Sequence, residues 1–440
     1  MEPLMDLIDD VPSPRSSYRP DEARVRGGEE EMTVNHHEVA RIQAEHEARL
    51  AELVVGLGAN VQADQVVSIT LEAGSESLMY RVAEAAYARG ARYVDPWTFY
   101  PQVKRARMEL APEASLGFVP PWLGARLLGV AELHGALIRL SGPSAGRLFD
   151  GVDAGRLGLD LLPRMRESAA MIASGWVNWC VAPSPTPGWA SLVYPSMDGE
   201  RALERLWEDI AFVCRLDAED PVAAWQARFT EMGRVAEALT SLGIDALRFS
   251  GPGTSLEVGL LPSSVWLTAF KHRNDGLRYV PNLPTEEVFT GPDPERVNGV
   301  VRATKPLVVS GGIVEGLTVR FEEGRAVTVD AARGRELVVR MIERDAGAAR
   351  LGEVALVDGA SRIGQTGKVF YDTLLDENAA SHIALGHAYV DSVAGEGDLA
   401  RLNDSAIHID FMIGSPEVDV DAVLRDGSVI PVLRAGVWQI

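Results

Sequence analysis

Hydrophobic positions along the chain keep one rhythm up to about residue 243 and another beyond it. A charged stretch predicts a helix over 36–55 with Gly56 as its stop, and 66–71 (VVSITL) is a β-branched run of strand length. Residues 75–89 then place Leu78, Val82, Ala85 and Ala86 on one helical face and stop at Gly90, and 91–94 starts the next strand. Strand, helix and strand at this spacing predict a crossover unit in a parallel sheet, with further strands at 136–140 and 176–182. Asp220-Pro221 is a helix opening, a cap followed by proline at the first helical position. Trp225, Phe229 and Met232 mark that helix's buried face and Leu242-Gly243 its end. Beyond it, short alternating strands at 246–250, 255–260, 307–309, 318–321, 327–329 and 353–357 are divided by glycine and proline turns, the pattern of a mainly antiparallel sheet. The expectation is an α/β N-terminal domain over 32–243 and an α+β C-terminal domain over 244–440. Residues 1–31, acidic at first and then Pro- and Ser-containing, read as a disordered tail, or as an extension before a true start at Met32.

Composition narrows the function classes. The chain has 440 residues, 46 % of them hydrophobic and 24 % charged, as in an ordinary globular protein. A formal net charge of −21 argues against nucleic acid or an anionic membrane as partner, since both attract basic surface. No run approaches the roughly 20 apolar residues of a membrane span. Cys180 and Cys214 are too few for a disulfide framework and form no C-x-x-C pair, so a cytoplasmic setting is expected.

Candidate chemistry lies mostly in the second half. Gly142-Pro143-Ser144-Ala145-Gly146 formally matches a G-x-S-x-G nucleophile elbow, which makes a serine hydrolase at Ser144 one alternative, although Pro143 suits an ordinary turn. No phosphate-binding loop and no H-E-x-x-H helix is present. Three of the eight histidines, His382, His387 and His408, fall in one acidic C-terminal span. In the alternating run 405–413, period two puts His408 and Asp410 on one face, where they can share a metal or simply hydrogen-bond each other. A helix opened by Asp376 would carry His382 and, two turns on, Tyr389 on one side, with His387 turned to solvent. Glu286 and Glu287 are adjacent, so in extended chain only one of them can face a common site. Glu353 opens an apolar strand and can reach its rim. Carboxylates with imidazoles suit zinc, cobalt or manganese.

Taken together, 282–290 (NLPTEEVFT), 350–355 (RLGEVA), 376–382 (DENAASH) and 408–415 (HIDFMIGS) resemble the motif set of the thermophilic-type metalloaminopeptidases, the aminopeptidase T and aminopeptidase S family. The resemblance covers roughly 35–440. It implies a homodimeric aminopeptidase of broad specificity that acts on peptides, with two divalent metal ions per chain in a catalytic C-terminal domain. Carried over by motif, Glu287, Glu353, His382, His408 and Asp410 would be metal ligands, with Glu353 bridging and Glu377 an added ligand or neighbour. Tyr389 would lie at the metals, and Glu286, or alternatively Glu377, would be the general base. A non-catalytic metal-stabilised binding protein is the other alternative. Two positions depart from the pattern: Thr254-Ser255 replaces a common Thr-Asp, and Ser381 stands where a cysteine often precedes the histidine.

Overall fold

The β-branched run forms β1 (Val66–Glu72), and the helical face that follows it forms α2 (Glu76–Ala88), burying Leu78, Met79, Val82 and Ala86. Before them runs α1 (Glu30–Leu53); Gly56 does not stop it, because the chain continues through a wider helical turn, Val54–Gly58. Gly58 is required there: a β-carbon would come within 2.6 Å of the Cys180 Sγ. The computed structural model describes residues 30–440 except 145, 161–166, 168–170, 173 and 310. The expected tail over 1–31 thus lies outside the described residues as far as 29, and Glu30 and Glu31 already belong to α1.

β2 (Tyr93–Phe99), β3 (Ala136–Ser141) and β4 (Asn178–Pro183) join β1 in a wholly parallel sheet of order β2-β1-β3-β4. Further on, α3 (Pro221–Ser241) begins as read from sequence, with the Asp220 carboxylate accepting from the Ala223 N–H at 3.0 Å, and it buries Trp225, Phe229 and Met232. Gly243 follows it at φ +63°, a left-handed value that favours glycine and turns the chain out of the helix.

The change of texture is real. β5 (Ile244–Gly251) and β6 (Thr254–Leu260) start an antiparallel sheet of eight strands, completed by β8 (Pro292–Arg302), β9 (Thr318–Glu322), β10 (Arg325–Asp330), β14 (Asp419–Leu424), β15 (Val429–Arg434) and β16 (Val437–Trp438). Its order is β10-β9-β8-β6-β5-β14-β15-β16. A second antiparallel sheet, order β13-β12-β11-β7, consists of β7 (Glu287–Thr290), β11 (Leu351–Val357), β12 (His382–Gly386) and β13 (His408–Met412). Gln43–Ile440 group as one unit, and one apolar cluster runs from Val67 and Ile69 through Phe249 and Leu256 to Val354, Ile383 and Phe411. The architecture is therefore an α/β parallel-sheet region followed by a mainly antiparallel α+β region.

One expected element is corrected. The helix opened near Asp376 ends after Thr373–Glu377, and His382 begins a strand. All five residues of that strand, HIALG, are buried between two neighbouring strands, an environment that favours an extended apolar run.

Candidate metal centre

The four-stranded sheet places the site. Across its register Val357 pairs with Glu287, Ala355 with His382 and His382 with Met412. One row further, Glu353 and Asp410 flank Ala384, and His408 pairs with Gly386. Because side chains alternate along a strand, Glu287, Glu353, His382, His408 and Asp410 all project from one face. Ala355 and Ala384 sit among them, and their methyl groups leave space where the long side chains converge. Gly386 closes the strand at φ +107°, with the Ile407 carbonyl 2.0 Å from where a β-carbon would stand.

The side chains meet in two groups that share Glu353. His382 Nε2 lies 2.9 Å from Glu287 Oε2 and 3.5 Å from Glu353 Oε1. His408 Nε2 lies 3.4 Å from Glu353 Oε2 and 3.2 Å from Asp410 Oδ1. Within each group the candidate ligand atoms are all within 4.8 Å of one another. Glu287, Glu353 and His382 are buried, whereas the His408 side chain is 25 % exposed, so the centre opens on the side of His408 and Asp410.

Imidazole orientation tests whether a cation fits. His382 Nδ1 faces the Ala380 carbonyl at 3.2 Å and His408 Nδ1 faces the His387 carbonyl at 2.8 Å. A carbonyl only accepts, so each Nδ1 carries a hydrogen, and each Nε2, which faces carboxylate oxygens, has a lone pair to offer a cation once its own proton leaves. Glu287 Oε2 lies 2.9 Å from His382 Nε2 and has no other partner among the described residues. Nitrogens and carboxylate oxygens converging in a buried space fit a cation in place of the Nε2 protons, with carbonyls behind the imidazoles fixing their orientation.

Electrostatics point the same way. Burial alone would lower His382 and His408, but the carboxylates around them raise both well above the ordinary histidine value. Burial raises Asp410, but the His408 charge and hydrogen bond override it and hold Asp410 at about 2. Glu377, also buried, is pushed well above the usual carboxylate value by burial and then by the charges of Asp410 and Glu287. The ion pairs of Glu287, Glu353 and Asp410 among the described residues are with these two imidazoles. The cluster is short of positive charge.

Other expectations fare differently. Tyr389 reaches the centre, its ring 5.3 Å from that of His408, but from the turn after β12 and not by helical stacking over His382. Phe289 packs edge-on against it at 5.8 Å, and the Lys271 ammonium lies 4.4 Å over its ring. His387 turns outward, half-exposed and 3.2 Å from Asp404, as expected. Glu286 points away from the centre. Its Oε1 lies 2.6 Å from Arg215 and its Oε2 2.6 Å from Arg228, both oxygens fully buried in ion pairs. Burial lifts its carboxyl while the guanidinium groups oppose that, and contacts this short on both oxygens support the ionised pair. Both carboxylate oxygens are taken up by guanidinium groups on the side away from the centre, a placement that argues against Glu286 as general base. Ser144 donates its hydroxyl to Glu72 Oε2 at 2.7 Å, and the same oxygen accepts the Ser144 N–H at 3.1 Å, a loop clasp and not a serine-histidine pair. Arg215, Arg228, Asn378 and Lys271, which also shape the site, were not singled out from the sequence. Their partners are too distant along the chain to leave a local pattern.

Comparison with known proteins decides the family. The sequence model of the thermophilic metalloproteases (M29) matches residues 43–438. The chain belongs to the M29 family. This M29 chain is 41 % identical over 400 residues to aminopeptidase T of Thermus aquaticus, covering 89 % of the chain and 98 % of that protein. It is 33 % identical over 405 residues to aminopeptidase 2 of Geobacillus stearothermophilus, covering 89 % and 97 %. The solved structure of wild-type AmpT from Thermus thermophilus superposes with a TM-score of 0.82 at 39 % identity, over 90 % of this chain and 99 % of that one. The M29 chain is a metal-dependent peptide hydrolase, and its function is that of an aminopeptidase. No described helix is long and apolar enough to cross a membrane.

Proposed function

We propose that this aminopeptidase holds two divalent cations, one between Glu287, His382 and Glu353 and the other between Glu353, His408 and Asp410. The observation that carries the proposal is the double engagement of Glu353, whose two oxygens face two different imidazoles at 3.5 Å and 3.4 Å. Four carboxylates, Glu287, Glu353, Glu377 and Asp410, against two neutral imidazoles also match the charge of two divalent ions. The oxygen and nitrogen donor set suits zinc, cobalt or manganese.

Such a pair of cations, when bound, would supply an acidified water and a polarised carbonyl. The rest is the work of the chain. Glu377, buried beside Asp410 and Glu287, takes the proton of the attacking water and returns it to the leaving amine. Tyr389, with its ring against His408, donates its hydroxyl to the carbonyl oxygen as negative charge develops there. Phe289 and the Lys271 ammonium lie against the Tyr389 ring and hold it in place. The exposed side at His408 and Asp410 is where a peptide's first residue would enter, with its free amino group near the acidic centre. A broad preference for that residue, a homodimer and a cytoplasmic setting complete the reading; the two cysteines are free and buried, as suits a reducing compartment.

Purified protein dialysed against a chelator should lose hydrolysis of aminoacyl anilides and regain it with zinc, cobalt or manganese. Full activity after removal of all divalent metal would sink the proposal.

A further inference from the structure

One side chain joins the segment that carries Glu287 to the segment that carries Glu377. Asn378 is fully buried. Its Oδ1 accepts the backbone N–H of Glu286 at 2.6 Å, across 92 positions of sequence. Its Nδ2 donates to the Leu374 carbonyl at 2.9 Å and reaches Glu377 Oε1 at 3.4 Å. Its own carbonyl accepts from the Ser361 hydroxyl at 2.6 Å. A short amide offers an acceptor and donors on opposite edges of one planar group; Asp lacks the donor, and Ala or Leu lacks both.

We infer that Asn378 is a positioning residue that sets the separation between Glu287 and Glu377, and thereby how tightly the centre holds its ions. The inference rests on the metal-ligand assignment proposed above. Glu286 immediately precedes β7, and its backbone N–H finds its acceptor in Asn378. On the far side, its carboxylate is held by Arg228, which also grips Asp358 Oδ1 at 2.9 Å. Asp358 directly follows β11, the strand of Glu353, and its Oδ2 accepts the Trp438 indole N–H at 2.6 Å. The start of β7 is therefore tied on one side to the end of β11 and on the other to the Glu377 segment. With Glu286 immobilised by its ion pairs, a change at Asn378 is passed to the neighbouring Glu287 and to Glu377, and is not absorbed by a loose loop. Outer partners of metal ligands act in this way, and losing one typically weakens metal binding or activity about 10–100-fold.

The test compares the parent enzyme with N378D, which keeps the size and the acceptor and loses the donor, and with S361A, which removes the hydroxyl behind Asn378 and touches no proposed ligand. Zinc affinity is read by competition with a chromophoric chelator. The kcat and KM of the zinc-loaded enzyme and the melting temperature of the metal-free protein are measured alongside. The expected result is zinc affinity about 10–100-fold weaker in N378D, a smaller loss in S361A, and kcat lowered more than KM is raised. Metal-free melting temperatures should fall in both, because S361A removes a buried hydroxyl that also caps the Gly364 N–H and N378D buries a carboxyl beside Glu377, so the affinity readout is the one that decides. Variants that bind zinc as tightly as a zinc-binding parent, with the melting temperature alone reduced, would overturn the inference and leave the metal assignment standing. A parent that binds no zinc, cobalt or manganese would overturn both. If N378D does not fold, S361A decides by the same two readouts.

Discussion

Replacing Glu286 by Gln separates two roles for a carboxylate beside a metal centre. The Glu286 side chain is wholly buried between Arg215 and Arg228, 2.6 Å from each. Removing its charge strands a guanidinium in the interior, and breaking a buried pair in this way costs about 3–5 kcal/mol. Arg228 would keep Asp358 at 2.9 Å and Glu231 at 3.0 Å, and the glutamine oxygen still accepts one hydrogen bond. Arg215 loses most: it retains the Trp225 ring at 4.8 Å, and its Nε already lacks a partner. The lower end, ~3 kcal/mol, is therefore expected. An unfolding entropy of about 2.1 cal/mol/K per residue over about 400 residues gives ~0.8 kcal/mol/K, so the melting temperature should fall by about 4 °C. Calorimetry with steady-state kinetics on the same preparation measures both effects. Expected are that loss of stability and a kcat within a few-fold of the parent. A general base would instead cost about 10²–10⁴ in kcat. An unchanged melting temperature with kcat down a hundredfold would refute the reasoning and restore Glu286 to the chemistry.

Three further outcomes follow from the site. In the metal-free protein the carboxylates hold His382 and His408 protonated above the ordinary histidine range, against the effect of burial. A cation must displace those protons, so zinc affinity should keep rising as pH climbs through and beyond the ordinary histidine range, with measurable proton release, and a flat profile would contradict the assignment. Tyr389→Phe should lower kcat by about 10²–10³, the usual loss for one donor to a developing oxyanion, with metal content unchanged by elemental analysis; parent-like turnover would remove the hydroxyl from the mechanism. Ser144→Ala should leave aminoacyl-anilide hydrolysis intact and cost about 1 kcal/mol for the lost bond to Glu72, whereas abolished turnover, or labelling of the parent at Ser144 by a serine-directed probe, would favour a serine hydrolase.

Much of this was legible where a local period carries the information. The alternation over 405–413 put His408 and Asp410 on one face, where they lie 3.2 Å apart. The adjacency of Glu286 and Glu287 implied opposite directions, and they take them, toward the arginines and toward His382. The β-branched run at 66–71 and the Asp220-Pro221 cap became a strand and a helix for the reasons read from them. Failure came where a short apolar run suits either period. HIALG matches a buried helix segment as well as a strand, and its extended form is decided by β11 and β13 on either side, which lie far away in sequence. Tyr389 was thus placed at the site by a helical argument that the backbone does not follow. The clamp of Arg215 and Arg228 on Glu286, and the tie from Asn378, join positions 58 to 92 residues apart and have no local period to reveal them.

The most direct measurement is the number of divalent ions per chain, by elemental analysis of the parent and of Glu353→Gln after equilibration with limiting zinc. Sharing of Glu353 between both groups predicts two ions in the parent and weakened retention of both in the variant, with activity lost in proportion. One ion per parent chain, or a variant that keeps two ions and full turnover, would contradict the two-ion centre.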